Sequence, residues 1–337
     1  MILYLSGKLA APGNVLKSEE NLWKISGCQS RCWSFWELWP ESPGYSKATV
    51  QLFEHCIQHG IKVMLDSGAF SLQQQWIKHK IKDEKEFSLL SEKMFEAYCK
   101  FCDQWRKKVE FYVTFDYKPE AEITQYMTEK MWKKGLDPVP VFHGDENVEE
   151  RLRWYLKKGV SYLGISGFRK GLIGQKRTST RFDFTDSCFR VLWDTKTKRT
   201  KVKVHGFGCT ELLLMLRYPW TSVDSSTWTT TGFNGAILLV HRNGTKFTRL
   251  YISNHGNPVH RGKRHFSQLS TLAKDAIRPI LEETGFSVEE LSDDTSKGHV
   301  ARKIFNARVF ADFEKSLSKK PVVFTPFLNT LFGGEDS

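Results

Sequence analysis

The sequence predicts an α/β fold, a (β/α)8 TIM-type barrel with a C-terminal helical appendage. Three observations carry this expectation: eight short apolar runs, amphipathic stretches of helical period between most of them, and an aspartate at the end of three of the runs. The 337 residues suit one barrel of roughly 250 residues plus an extension. We place the barrel at residues 1–245, a C-terminal hairpin and helical extension at 246–332, and a frayed tail at 333–337.

Met1 to Ser6 reads as the first strand. Residues 28–43, with Trp33, Phe35, Trp36 and Trp39, read as an aromatic-rich insertion, either a lid or binding loop or a plug for the barrel. A helix from about Ser46 to Gly60 leads to the second strand, Ile61 to Leu65, which ends in Asp66-Ser-Gly-Ala-Phe70. Phe87, Leu90, Met94, Tyr98, Phe101 and Trp105 mark a helix before the third strand, Glu110 to Phe115, which ends in Asp116. Ala121 to Lys134 is helical; Pro138 to Phe142 is a strand ending at His143-Gly144. Glu146 to Lys158 is an amphipathic helix stopped by Gly159, and Ser161 to Ile165 is a strand opening into Ser166-Gly167. Val202 to His205, Thr221 to Val223 and Gly235 to Val240 complete the count of eight. Lys246 to Ser253 pairs with the last as a hairpin through Asn243-Gly244, and three terminal helices follow.

In a parallel α/β architecture the catalytic groups gather at the carboxyl ends of the strands. Asp66, Asp116 and Asp224 all stand there. Like-charged carboxylates held close push their pKa values apart, which suits a nucleophile paired with an acid/base. The bland alternative for Asp224 is an N-cap, with Ser225, Ser226 and Thr227 beside it.

A formal net charge of +12 points to a polyanionic partner. The cations cluster with glycines and hydroxyls at Lys170 to Arg181, Lys196 to Lys203 and His260 to His265, and Lys176, Arg177, Arg181, Arg261, Lys263 and Arg264 are the candidate phosphate contacts. No run is long enough to span a membrane, and the first residues begin a strand rather than a signal peptide, so a cytoplasmic protein is expected. Seven scattered cysteines argue for reduced thiols. Cys99 and Cys102, with Cys28 and Cys32, could in principle hold a metal, although a packed helix face accounts for the first pair more simply. His55 and His59, one helical turn apart, lack the glutamate of a metalloprotease signature and read as surface residues or as supports behind a site.

Asp66-Ser-Gly-Ala-Phe70, Phe115-Asp116, Pro140 to Gly144, Gly164 to Gly167, His205-Gly-Phe-Gly208 and Ser222-Val-Asp-Ser225 resemble, in content and order, the tRNA-guanine transglycosylase superfamily. The wording is most similar to the phage-encoded branch that places 7-deazaguanines in DNA, and the resemblance covers roughly residues 1 to 240. It implies exchange of guanine for a free, preQ0-like 7-deazaguanine base without cutting the backbone and without a cofactor. It implies Asp224 as the nucleophile, Asp66 as the acid/base and Asp116 as the reader of the guanine edge. Ser67, Phe70, His143, Gly144, Gly164, Gly167, Gly206, Phe207 and Gly208 would line the base site; His143 stands where the family has glutamine. The family's tRNA enzymes carry a zinc site of three cysteines and a histidine after the nucleophile, but this chain has no cysteine beyond Cys209, so no metal is expected there. A phage-encoded enzyme would work in the cytoplasm of an infected bacterium. Three readings stay open: exchange on DNA, exchange on tRNA, and a non-catalytic nucleic-acid-binding barrel.

Overall fold

A computed structural model describes residues 1–9, 14–78, 81, 83–118, 120–144, 147–167, 181–240, 246–254 and 265–317. β1 (Ile2–Ser6) opens the chain. Asn14 caps α1 (Val15–Ser26), its side chain accepting from the Leu16 and Lys17 N–H groups, and Gly27 at φ 72° ends the helix. β2 (Ser30–Ser34) and the single turn α2 (Phe35–Leu38) follow. Ser46 caps α3 (Lys47–Gln58), which returns the chain to β3 (Lys62–Asp66). α4 (Ala69–Ile77) starts at Gly68, and Asp83 caps the long α5 (Glu84–Trp105).

Strand and helix then alternate through β4 (Phe111–Tyr112), α6 (Ala121–Lys133), β5 (Val141–Phe142), α7 (Val148–Lys157), β6 (Tyr162–Ile165) and α8 (Arg181–Leu192). A small antiparallel pair, β7 (Trp193–Asp194) with β8 (Arg199–Thr200), precedes β9 (Lys203–Gly206), α9 (Leu212–Arg217), β10 (Ser222–Ser225) and α10 (Thr227–Phe233). β11 (Ala236–Val240), β12 (Phe247–Tyr251), α11 (Thr271–Glu283), α12 (Val288–Ser292) and α13 (Ser296–Leu317) complete the order.

Eight strands form one curled, parallel sheet in the order β4-β3-β2-β1-β10-β9-β6-β5. Its two ends are drawn together: Val113 bridges Val139 in parallel, the Thr114 N–H donates to the Val139 carbonyl (3.0 Å), and the Val139 N–H donates to that of Tyr112 (2.8 Å). Tyr4, Cys32, Met64, Phe111, Val113, Val139 and Val141 fill the concave face as one buried cluster. The rings of Tyr4 and Phe111, from β1 and β4, meet edge-on at 5.6 Å. Two larger apolar clusters pack the helices against the sheet from outside.

The strand membership differs from the expectation at two places. The segment read as a lid or plug supplies β2, paired with β1 on one side and with β3 over five residues on the other. Its tryptophans are structural: Trp33, Trp36 and Trp39 are buried in the helix–sheet layer. Conversely, the run after Gly235, expected as the eighth strand, leaves the sheet and pairs antiparallel with β12. The turn expected at Asn243-Gly244 lies outside the described residues.

Two buried polar clamps lock this arrangement. Arg31, on β2 and fully buried, forms an ion pair with the equally buried Glu19 of α1 (2.7 Å) and donates to the Leu5 and Gly7 carbonyls at 2.7 and 2.8 Å. Its guanidinium also lies over Trp33 and Trp228, at 5.1 and 5.3 Å from their ring centres. At the other end of the chain, Asn306 of α13 accepts from the Leu238 N–H (2.7 Å) and donates to the Trp228 and Ala236 carbonyls (both 3.2 Å). The C-terminal helix is thereby tied to α10 and β11. Cys28, Cys32, Cys99 and Cys102 are all buried free thiols, and no metal-ligating cluster among the described residues includes them.

Removing one member of a buried pair leaves the other charge uncompensated, at a cost of about 3–5 kcal/mol. Glu19→Gln should therefore lower the free energy of urea-induced unfolding by that amount. A decrease under about 1 kcal/mol, the range of exposed pairs, would show that Arg31 is satisfied by its carbonyl partners alone.

Candidate active site

The register of the sheet brings three carboxylates to one edge. Asp66 ends β3 opposite Ser34 of β2, Asp224 lies in β10 opposite Tyr4 of β1, and Asp116 follows β4. Each is held by different donors. Asp224 accepts from the Ser6 hydroxyl on one oxygen (2.8 Å) and from the Gly208 N–H on the other (2.7 Å). Asp116 accepts from the Ser67 hydroxyl (2.8 Å) and pairs with His143 Nε2 (3.0 Å). Asp66 accepts from the Gly68 N–H at 3.0 Å.

Asp224 does not cap the helix after it. Ser226 occupies that position, and the Thr227 N–H takes the Ser225 hydroxyl instead. Both Asp224 oxygens are turned to the strand ends.

The three sites differ electrostatically. Burial, followed by the charge of Asp116, pushes the Asp66 carboxyl up to about 7, against the pull of the Gly68 N–H and the Ser34 hydroxyl. Asp66 is therefore the member that carries a proton near neutrality. Cys32, on the floor below, is held well above the ordinary thiol range by burial and then by Asp224 and Asp66, so it stays a neutral thiol.

A hydrogen-bonded chain supports Asp224 from beneath. His205 Nε2 lies 3.4 Å from Asp224, its Nδ1 meets the Ser222 hydroxyl, and that hydroxyl meets Tyr162. With Nε2–H facing the carboxylate, Nδ1 accepts from Ser222, and Ser222 accepts from Tyr162, so one neutral tautomer satisfies every member. His205 is fully buried.

The glycines are explained by space and backbone. Gly208, at φ 60°, adopts the left-handed conformation that aims its N–H at Asp224. A Cβ on Gly164 would stand 2.2 Å from the Phe207 ring, so Gly164 makes room for that ring, which packs edge-on to His205 at 4.5 Å. Gly206 is enclosed by Cys209, Val223 and Trp220, and a Cβ on Gly167 would come within 3.3 Å of the Gly144 nitrogen, so those two loops abut. Ser67 is buried beneath Asp116, whereas Phe70, on the first turn of α4, is 52% exposed.

The aspartates and the base-site candidates thus fall at or beside one end of the sheet. Of the cations, Arg181 forms an ion pair with Glu211 (2.9 Å), while Lys176, Arg177, Arg261, Lys263 and Arg264 lie outside the described residues. Two cations not singled out from sequence, Lys246 and Arg249, line a groove of about 540 Å³ that also takes in Thr210, beyond β9, and Thr227, the first residue of α10. Sequence reasoning gave no place at this site to Ser6, Ser34 or Cys32, the last weighed only as a metal ligand, and it quoted Ser222 only as part of the Ser222-to-Ser225 motif. Ser6 ends β1 and Ser34 ends β2, a strand the sequence did not announce, and the register of the sheet brings both to the site.

Compared with known proteins, the chain matches no family model and no curated sequence. Among its described residues no helix is long and apolar enough to cross a membrane.

The raised Asp66 pKa also couples stability to pH. A carboxyl whose folded value is about 7 and whose unfolded value is about 3.9 binds its proton more tightly when folded. Its contribution is fully present below the unfolded value and is lost as pH rises through about 7. Asp66→Asn, which mimics the protonated acid, should flatten the fall in urea-unfolding free energy between those two values. An unchanged slope would mean that Asp66 titrates normally.

Proposed function

We propose that this chain is a transglycosylase that exchanges guanine in DNA for a 7-deazaguanine base, on a sheet closed as a (β/α)8 barrel. The observation that carries the reading is the presence of two carboxylates in unlike surroundings at one end of the sheet: Asp66, buried and holding its proton up to about 7, and Asp224, gripped by the Ser6 hydroxyl and the Gly208 N–H. This division of labour suits displacement at an N-glycosidic carbon.

In the first half-reaction an Asp224 oxygen attacks C1′, the C1′–N bond breaks, and its electron pair leaves with guanine. Asp66 supplies the proton that neutralises the departing base. A glycosyl ester of Asp224 remains. In the second, the incoming 7-deazaguanine returns a proton to Asp66, its nitrogen attacks C1′, and the ester bond breaks. Two inversions give net retention. The strand is never cut, because no phosphodiester takes part.

Asp116 reads the edge of guanine that carries N1–H and the exocyclic amine, both donors that a carboxylate accepts. The Ser67 hydroxyl and His143 occupy it meanwhile. His143 Nδ1 is buried and has no hydrogen-bond partner among the described residues. The target nucleotide leaves the duplex to reach these groups. The groove bearing Lys246 and Arg249 carries the adjoining phosphates, together with the cations of residues 170–180 and 260–264.

Labelled guanine incubated with the protein and duplex DNA should enter the DNA, and Asp224→Asn should abolish incorporation while retaining DNA binding. Incorporation by that variant would remove Asp224 from its role; incorporation into tRNA alone would move the substrate to RNA. Under single turnover, guanine release should fall about tenfold per pH unit above about 7 as Asp66 loses its proton. Asp66→Asn should lower release by about 10²-fold or more at neutral pH.

The groove has its own readout. Removing one phosphate-binding cation should reduce the slope of log affinity against log salt by about one unit. Lys246→Ala and Arg249→Ala should each do so while leaving the choice of base unchanged. An unaltered slope in both would place the strand elsewhere.

A further inference from the structure

The outer face of α1 and α3 carries a cluster that base exchange does not use. Glu20, His55 and His59 place one ligand atom each within 4.8 Å of one another, the one group of three such residues among those described. The two histidines are one turn apart at the end of α3, and the carboxylate comes from α1. The geometry points to a binding site here for a divalent transition-metal ion, zinc first, which ties α1 to α3.

The tautomers are prepared for it. His59 Nδ1 lies 3.0 Å from the His55 carbonyl. A carbonyl only accepts, so Nδ1 carries the hydrogen and the Nε2 lone pair is left for a metal. His55 Nε2 stands 3.0 Å from Glu20 Oε1. A cation between them would be ligated by Nε2, with the ring hydrogen of the neutral imidazole on Nδ1.

The rings are also held in place. Trp23 stacks on His55 with centroids 5.5 Å apart and lies against His59 at 5.8 Å, while the two imidazoles are 4.0 Å apart. Trp23 is itself fixed, donating from Nε1 to Glu19 (3.2 Å), the buried partner of Arg31. Rotamer freedom that free side chains would lose on binding is therefore largely spent already. Glu20 and His55 are half-buried and His59 is exposed, which leaves an open side for entry and for water as a fourth ligand.

The donor set selects the class of ion. Two imidazoles and one carboxylate suit zinc and its first-row neighbours, whereas calcium and magnesium call for a shell of oxygens. One group competes: Lys24 Nζ pairs with the second Glu20 oxygen at 3.2 Å. The contact is exposed, where such pairs are weak. The placement is structural, on helices that flank β1, β2 and β3.

The test is calorimetric titration of the chelator-treated full chain with zinc chloride, paired with thermal melts at about a hundredfold excess of zinc over the Kd found. One zinc should bind at micromolar or tighter Kd and raise Tm. His59→Ala and Glu20→Gln, each melting like the parent without zinc, should bind at least about tenfold more weakly and lose the zinc-dependent rise. No binding by the parent chain overturns the proposal, as does binding that survives unchanged in both variants, since the ion would then sit on other residues. Base exchange is read separately, so failure here leaves the transglycosylase reading standing.

Discussion

Three carboxylates at one desolvated sheet edge cannot all be charged without compensation, and the arrangement around Asp66, Asp116 and Asp224 answers that constraint. Asp224 and Asp116 receive hydroxyl, amide and imidazole donors. Asp66 takes the Gly68 N–H, and its burial, followed by the charge of Asp116, holds its proton to about 7. The residue type is the same at all three positions, so what sets Asp66 apart is its burial and the distribution of donors among the three.

Those donors depend on the scaffold behind them. Ser6 reaches Asp224 because β1 lies beside β10, and the end of β1 is fixed by Arg31, which bonds the Leu5 and Gly7 carbonyls on either side of Ser6. Trp228, just after Asp224, donates to the Ser6 carbonyl at 2.7 Å and packs under the same guanidinium. Asn306 then holds the Trp228 carbonyl from α13. A contiguous run of buried polar contacts therefore leads from the C-terminal helix, and from α1 through Glu19, to the residues that grip Asp224.

Much of the site was legible because an aspartate at or just beyond the end of a short apolar run is a local signal. Asp66, Asp116, Asp224 and the His205-Gly-Phe-Gly208 loop all lie at strand ends, and Gly208 supplies a bond to Asp224. β2 was not legible. Ser30-Arg-Cys-Trp-Ser34 places an arginine inside a buried strand, which is tolerated only because Glu19 arrives from a different element. Pattern reading cannot see a partner supplied by tertiary structure. β11 misled for the opposite reason: Ala236-Ile-Leu-Leu-Val240 reads as a strand buried on both faces, and it is instead covered by α13 and β12. The short interior residues Ser6, Ser34 and Ser222 carry no periodic signal; only their register reveals them.

Covalent joining of Asp224 to the sugar, with Asp66 managing the proton, is tested most directly by trapping the adduct. The protein is mixed with guanine-containing duplex DNA, quenched in acid and digested, and its peptides are weighed. The expected result is a peptide containing Asp224 heavier by a deoxyribosyl-bearing DNA fragment whose base is missing, formed by the parent chain and absent from Asp224→Asn. A modified peptide containing Asp66 or Asp116 instead, or exchange proceeding with no adduct at any time point, would contradict it.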